Sequence, residues 1–199
     1  MDSSSIERRR FSFDIRRTII LSHYMAHWGM PEYRVIFESN DKAEYVEIYF
    51  FPDTTRDVIR FATVGLSNCI RPTGERVGFE LMIPLLSNLG GEERTRIFDY
   101  VADLIAHHVA NVKAHKPPAI MGESKLAPEK WNAKAFLVDE LRGESEDLEV
   151  IAVGDEKVEV LWGIPITRFE YDLISKDGIE AFDKYVDQMD ASIIDPTRS

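Results

Sequence analysis

The order in which two hydrophobic rhythms occur along this chain constrains its fold more than any other feature. Between Tyr33 and Leu86 apolar side chains recur at every second residue, the period of a β-strand. Tyr45–Phe51 shows the pattern best, with Val46, Ile48 and Phe50 alternating with Tyr45, Glu47 and Tyr49. Tyr33–Phe37 precedes it across Asn40-Asp41-Lys42, whose short polar side chains suit a turn. Val58–Ser67 and Arg76–Leu86 read as a second antiparallel pair joined through Arg71-Pro72-Thr73-Gly74. In its second strand Phe79, Leu81 and Ile83 alternate with Gly78, Glu80 and Met82.

After Gly90-Gly91 the rhythm becomes helical. Ile97, Val101, Leu104, Ile105, His108 and Val112 recur on one stripe, and Pro117-Pro118 stops it. Glu92 and Glu93 suit the positive end of that helix; Lys113, His115 and Lys116 suit the other. An earlier helix is predicted over Asp14–His27, with Ile15, Ile19, Tyr24 and Trp28 near one stripe and Gly29 and Pro31 ending it. The segment 119–146 is irregular, with a short helical turn opened by Pro128 near Trp131 and a strand over Ala135–Val138. A hairpin follows: Leu148–Val153, the turn Gly154-Asp155-Glu156, and Lys157–Gly163. Thr167 and Glu170 have capping-box spacing, and Gly178 precedes a last helix carrying Ile179, Phe182, Val186 and Met189. Strands and helices thus come in blocks without βαβ alternation. This predicts an α+β fold, a largely antiparallel mixed sheet covered by helices. The 199 residues read as one domain over 1–199, with a core of about 11–192 and flexible tails at both ends.

Composition excludes more than it identifies. The net charge of −11, from 35 acids against 24 bases, disfavours nucleic acid as the main partner, because phosphates need Lys and Arg. A single cysteine, Cys69, allows no internal disulfide and no thiolate cluster for zinc, which suits a reducing cytoplasm. The longest uncharged run near the start, Thr18–Pro31, is too short and too polar to span a bilayer. The basic run Arg8-Arg9-Arg10 is not followed by the apolar stretch of a secretory signal.

Each catalytic candidate has a structural explanation. Gly65-Leu66-Ser67 lacks the second glycine of a nucleophile elbow, since Cys69 stands there. His23 and His27 have metal-chelating spacing but no evident third ligand, and His108 falls on an apolar stripe. Glu80 and Glu170 could form an acid/base pair only if the fold joins them. Nothing near Cys69 in sequence would activate its thiol. No cofactor or metal is expected. A small-molecule or metal-dependent hydrolytic enzyme is the competing reading, and a regulatory subunit of a larger assembly is another.

The strongest nonrandom feature is electrostatic. Nine acids and two bases lie between Asp139 and Glu159, so this segment carries −7 of the total −11. It reads either as a solvated hairpin face or as a docking face that speeds association with a basic protein. Glu140, Glu144, Glu146, Asp147, Glu149, Asp155 and Glu156 are the candidate contacts.

Several segments together resemble the suppressor-of-fused family, in its bacterial single-domain type. Val77-Gly78-Phe79-Glu80-Leu81 looks like that family's Gly-Phe-Glu-Leu strand, and Thr63-Val64-Gly65-Leu66-Ser67 is similar to its earlier Gly-x-Ser turn. Val160–Glu170, with Pro165, Thr167, Glu170 and the later Gly178, looks like its apolar strand followed by Pro-x-Thr, a Glu and a glycine. The order and spacing agree over about residues 20–190. The resemblance implies a mixed α/β domain that binds protein and is not known for catalysis. Single-domain bacterial members are associated with toxin neutralisation, so it implies an immunity protein with a toxin domain as partner; the acidic charge suits a basic toxin, and charge and hydropathy point to no nucleic acid and no membrane. Gly65, Ser67, Glu80, Pro165, Thr167, Glu170 and Gly178 are expected to define the fold rather than the contact surface.

Overall fold

A computed structural model of the chain describes residues 3–38, 45–87, 91–110 and 117–199. The expected turn at 40–42 and the charged end of the second helix at 113–116 lie outside these residues.

The strand patterns build one eight-stranded sheet in the order β1-β2-β3-β4-β8-β6-β5, with β7 on β8. β1 (Tyr33–Glu38), β2 (Tyr45–Asp53), β3 (Val58–Val64) and β4 (Phe79–Leu86) form an antiparallel meander, as their alternation predicts. β5 (Ala119–Met121) pairs antiparallel with β6 (Ala135–Asp139). β7 (Val150–Val153) and the long β8 (Glu156–Ile166) form the expected hairpin. β8 then joins the two halves of the sheet, parallel to β4 through Phe79↔Glu159 to Met82↔Trp162 and antiparallel to β6.

Period-two alternation sends successive side chains to opposite faces, and both faces are covered. Val46, Ile48, Phe50, Phe61, Phe79, Leu81 and Ile83 meet Ile97, Val101, Leu104 and Ile105 of α2 (Gly91–Ala110). Tyr49, Phe51, Ala62, Val64, Met82 and Ile164 face the other way. There they meet Ile20 and Tyr24 of α1 (Ser3–Trp28), Ile174 of α3 (Arg168–Asp177) and Phe182 of α4 (Ile179–Val186). The α+β architecture is therefore three layers, helix–sheet–helices.

Local details depart from the sequence pattern in three places. α1 begins at Ser3 rather than near Asp14. Its buried line is Ile20 and Tyr24, both 0% exposed, whereas Ile15 is 46% exposed. Pro128 opens the single short turn expected near Trp131, closed by the Trp131 N–H donating to its carbonyl at 3.0 Å. The C-terminal segment is docked and not a free tail: Asn132 and Ala133 N–H groups both donate to the Pro196 carbonyl at 3.0 Å, and Arg198 is 4% exposed.

Candidate functional site

The residues that carry the family resemblance fall into two enclosed clusters. In the first, the Glu80 carboxylate on β4 is 0% exposed. It accepts N–H bonds from Gly65 at 2.9 Å, Leu66 at 3.2 Å and Ser67 at 3.1 Å, and hydroxyl bonds from Thr63 and Ser67, both at 2.7 Å. Burial pushes the Glu80 carboxyl up while these donors pull it down, and burial is the larger influence. The loop needs glycine at 65 twice over. Its φ is +105°, and a Cβ there would meet the Tyr45 carbonyl oxygen at 2.4 Å and Phe13 Cε2 at 2.8 Å. Cys69 is buried behind the same loop, its thiol donating to the Gly65 carbonyl at 3.6 Å.

The second cluster is the start of α3. Thr167 and Glu170 form the reciprocal capping box that their spacing predicts. Glu170 is 1% exposed and also pairs with Arg198, whose Nε and Nη2 donate to it at 3.0 and 2.7 Å. Arg198 donates further to the carbonyls of Pro165, Ile193 and Asp195, each at 2.8 Å. Gly178, with φ +85° and ψ 176°, links α3 to α4 in a conformation that belongs almost only to glycine. Glu80 and Glu170 share no partner, and each is closed off from solvent, so the fold does not join them as an acid/base pair.

The acidic segment is arranged differently from a uniform charged surface. Glu144 is held inside: Arg60 Nε donates to it at 2.6 Å and Trp28 Nε1 at 3.3 Å. Arg60, only 3% exposed at its side chain, bridges on to Asp53 at 3.2 Å and lies 5.6 Å above the Trp28 ring. Hydrogen bonds from Thr55 and Arg60 hold the Asp53 carboxyl down to about 2. Glu156 is bound on both oxygens, by Arg16 and Arg76, which hold its carboxyl below the usual range. Glu144 is thus spent as an internal anchor, whereas Glu156 is half exposed and paired with two arginines. Asp139 is likewise buried and paired with Arg142. Glu140, Glu146, Asp147, Glu149, Asp155 and Glu159 remain exposed and, among the described residues, take part in no ion pair.

One helix backs this surface. α1 presents Arg16 to Glu156, His23 to the Asp147 carbonyl at 3.0 Å, and Trp28 to Glu144. The His23 and His27 rings are 5.0 Å apart, and burial, with His27 beside it, lowers His23 below its ordinary value. Among the described residues no group of three or more His, Cys, Asp or Glu side chains is placed to hold a metal. A cleft of about 770 Å³ runs between the β2–β3 turn and residues 143–145, walled by Trp28, Arg56, Arg60 and Glu144. Among the described residues no helix is long and apolar enough to cross a membrane. The backing role of α1 had no sequence signature, because its three anchor residues reach partners more than 100 positions away.

Comparison with known proteins follows the same lines. None of the curated proteins matches the chain. The crystal structure of a Sufu–Fu complex matches with a TM-score of 0.66 at 14% identity, over 92% of this chain and 91% of that one. Drosophila Suppressor of Fused matches with a TM-score of 0.67 at 12% identity, over 92% of this chain and 50% of that one. The model of the suppressor of fused protein family matches residues 41–199, which include both enclosed clusters. By that match and by its fold, the chain belongs to the suppressor of fused family.

Proposed function

We propose that this chain is a non-enzymatic protein-binding domain, an immunity protein that neutralises a basic toxin by covering its working surface. The observation that carries the reading is the anchoring of the acidic segment. Arg16, His23 and Trp28 hold it at three points along one helix, while Glu140, Glu146, Asp147, Glu149, Asp155 and Glu159 stay exposed. A surface held in place loses little conformational entropy on docking, and its charge steers a basic partner to it. The Sufu of the neighbouring crystal structure is in complex with Fu, so a protein of this fold does bind another protein.

Co-expression with the product of the adjacent reading frame tests the proposal. If that product is toxic, the chain restores growth and the two elute as one complex. A variant with Glu146, Glu149 and Asp155 reversed to Lys rescues poorly while unfolding at an unchanged midpoint. No rescue and no complex with the unaltered chain would overturn the reading.

A further inference from the structure

We propose that the outer edge of β1 is a second docking site, which receives an extended peptide bearing a carboxylate side chain. β1 stands at the end of the sheet, so among the described residues no strand covers its outer side. Such an edge offers a row of backbone donors and acceptors to one more strand. Proteins blunt an edge with charge, proline or a bulge. β1 has neither proline nor bulge: its register to β2 runs unbroken from Tyr33↔Phe50 to Glu38↔Tyr45. Its central charge, Arg34, is engaged by Glu47 and Tyr49. Tyr33, Val35 and Ile36 are instead 36%, 40% and 48% exposed.

A cleft of about 390 Å³ lies beside this strand, lined by Tyr33, Val35, Arg94, Thr95, Phe98 and Asp99. Tyr33 and Val35 share one face of β1, so the cleft sits where alternate side chains of an added strand would fall. Its base is aromatic: Tyr33 stacks on Phe50 at 4.8 Å and meets Phe98 at 5.6 Å. The Arg94 guanidinium lies 4.9 Å above the Phe50 ring and acts on the Tyr33 hydroxyl, while its Nε is buried with no hydrogen-bond partner among the described residues. Arg94 is only partly buried, so its guanidinium can offer a carboxylate charge-assisted bonds. An open edge supplies main-chain bonds and the cleft supplies side-chain choice, the two parts of recognition by strand addition. This edge is remote in the sheet order from β7 and β8, so the inference stands or falls independently of the acidic segment.

A labelled Val-Thr-Glu-Thr-Val peptide, titrated against the intact chain by fluorescence anisotropy, should bind with a Kd on the order of 100 µM. Arg94→Glu should weaken binding about tenfold or more, and replacing the peptide's Glu with Lys should recover most of that loss. If Arg94→Glu does not fold, Arg94→Gln with the same two peptides reads the same charge preference. Val35→Lys should weaken both peptides alike, and amide shifts on binding should cluster on residues 33–37. Absence of binding, equal binding by the wild type and the Arg94 variant, or shifts centred on β5 would overturn the proposal. A dimer of the free chain dispersed by Val35→Lys would assign the edge to a second copy, and would overturn it as well.

Discussion

Arg198→Met should destabilise the domain by about 3–5 kcal/mol, because it strands a buried charge. This guanidinium donates five hydrogen bonds: two to Glu170 and one each to the carbonyls of Pro165, Ile193 and Asp195. Without Arg198, the Glu170 carboxylate, 1% exposed, keeps the Thr167 N–H at 2.6 Å as its remaining partner. Methionine fills much of the volume but offers no donor. In urea, with a slope of about 2 kcal/mol per M for a domain of this size, the unfolding midpoint should fall by about 1.5–2.5 M. Glu170→Gln leaves Arg198 as the unpaired charge and weakens the capping box. The double variant should therefore cost at least about 1 kcal/mol less than the sum of the two singles. A midpoint shift for Arg198→Met below about 0.5 M, or strict additivity, would refute the view that this pair locks the C-terminal segment to α3.

Gly65→Ala places a Cβ 2.4 Å from the Tyr45 carbonyl oxygen at a φ of +105°. It should cost about 2–4 kcal/mol and lower Tm by roughly 5–12 °C, read by circular dichroism. Glu80→Gln turns an amide group toward backbone N–H groups that need an acceptor, and should cost about 2–4 kcal/mol. Faster hydrogen exchange at Leu66 and Ser67 is the accompanying sign. The pKa of His23 is lower in the folded state than its ordinary 6.5, so protonation favours the unfolded chain. The stability that depends on neutral His23 is complete above about pH 6.5 and is lost as pH falls below it. His23→Gln should flatten the difference between unfolding midpoints at about pH 7.5 and 5.5, and an unchanged difference would remove His23 from the pH response.

Local chemistry made part of this molecule readable from its residues. The β7–β8 hairpin announced itself through Gly154-Asp155 between two apolar runs, and the Thr167–Glu170 cap through a spacing of three. The meander followed from alternation alone. The parallel β4–β8 pairing did not, because β4 and the Val160–Ile166 part of β8 are buried on both faces and their partner is chosen by the layers around them. Arg198 looked like part of a polar tail because its partner Glu170 lies 28 residues earlier, and a guanidinium is polar wherever it ends up. Charge density in the acidic segment was legible from composition. Which acids are spent internally was not: Glu144 and Glu146 are two residues apart, yet one faces Arg60 and the other faces solvent.

The most direct test of the proposed docking face is the association rate between this chain and the product of the adjacent reading frame, measured by stopped flow across a salt series. The wild type should associate at least about tenfold faster than the Glu146→Lys, Glu149→Lys, Asp155→Lys variant at low ionic strength. The two rates should converge as screening shortens the reach of the charges to a few ångströms at about 1 M salt. Equal rates at low salt, with the variant still folded, would contradict the claim that the exposed acids of the 139–159 segment form the docking face.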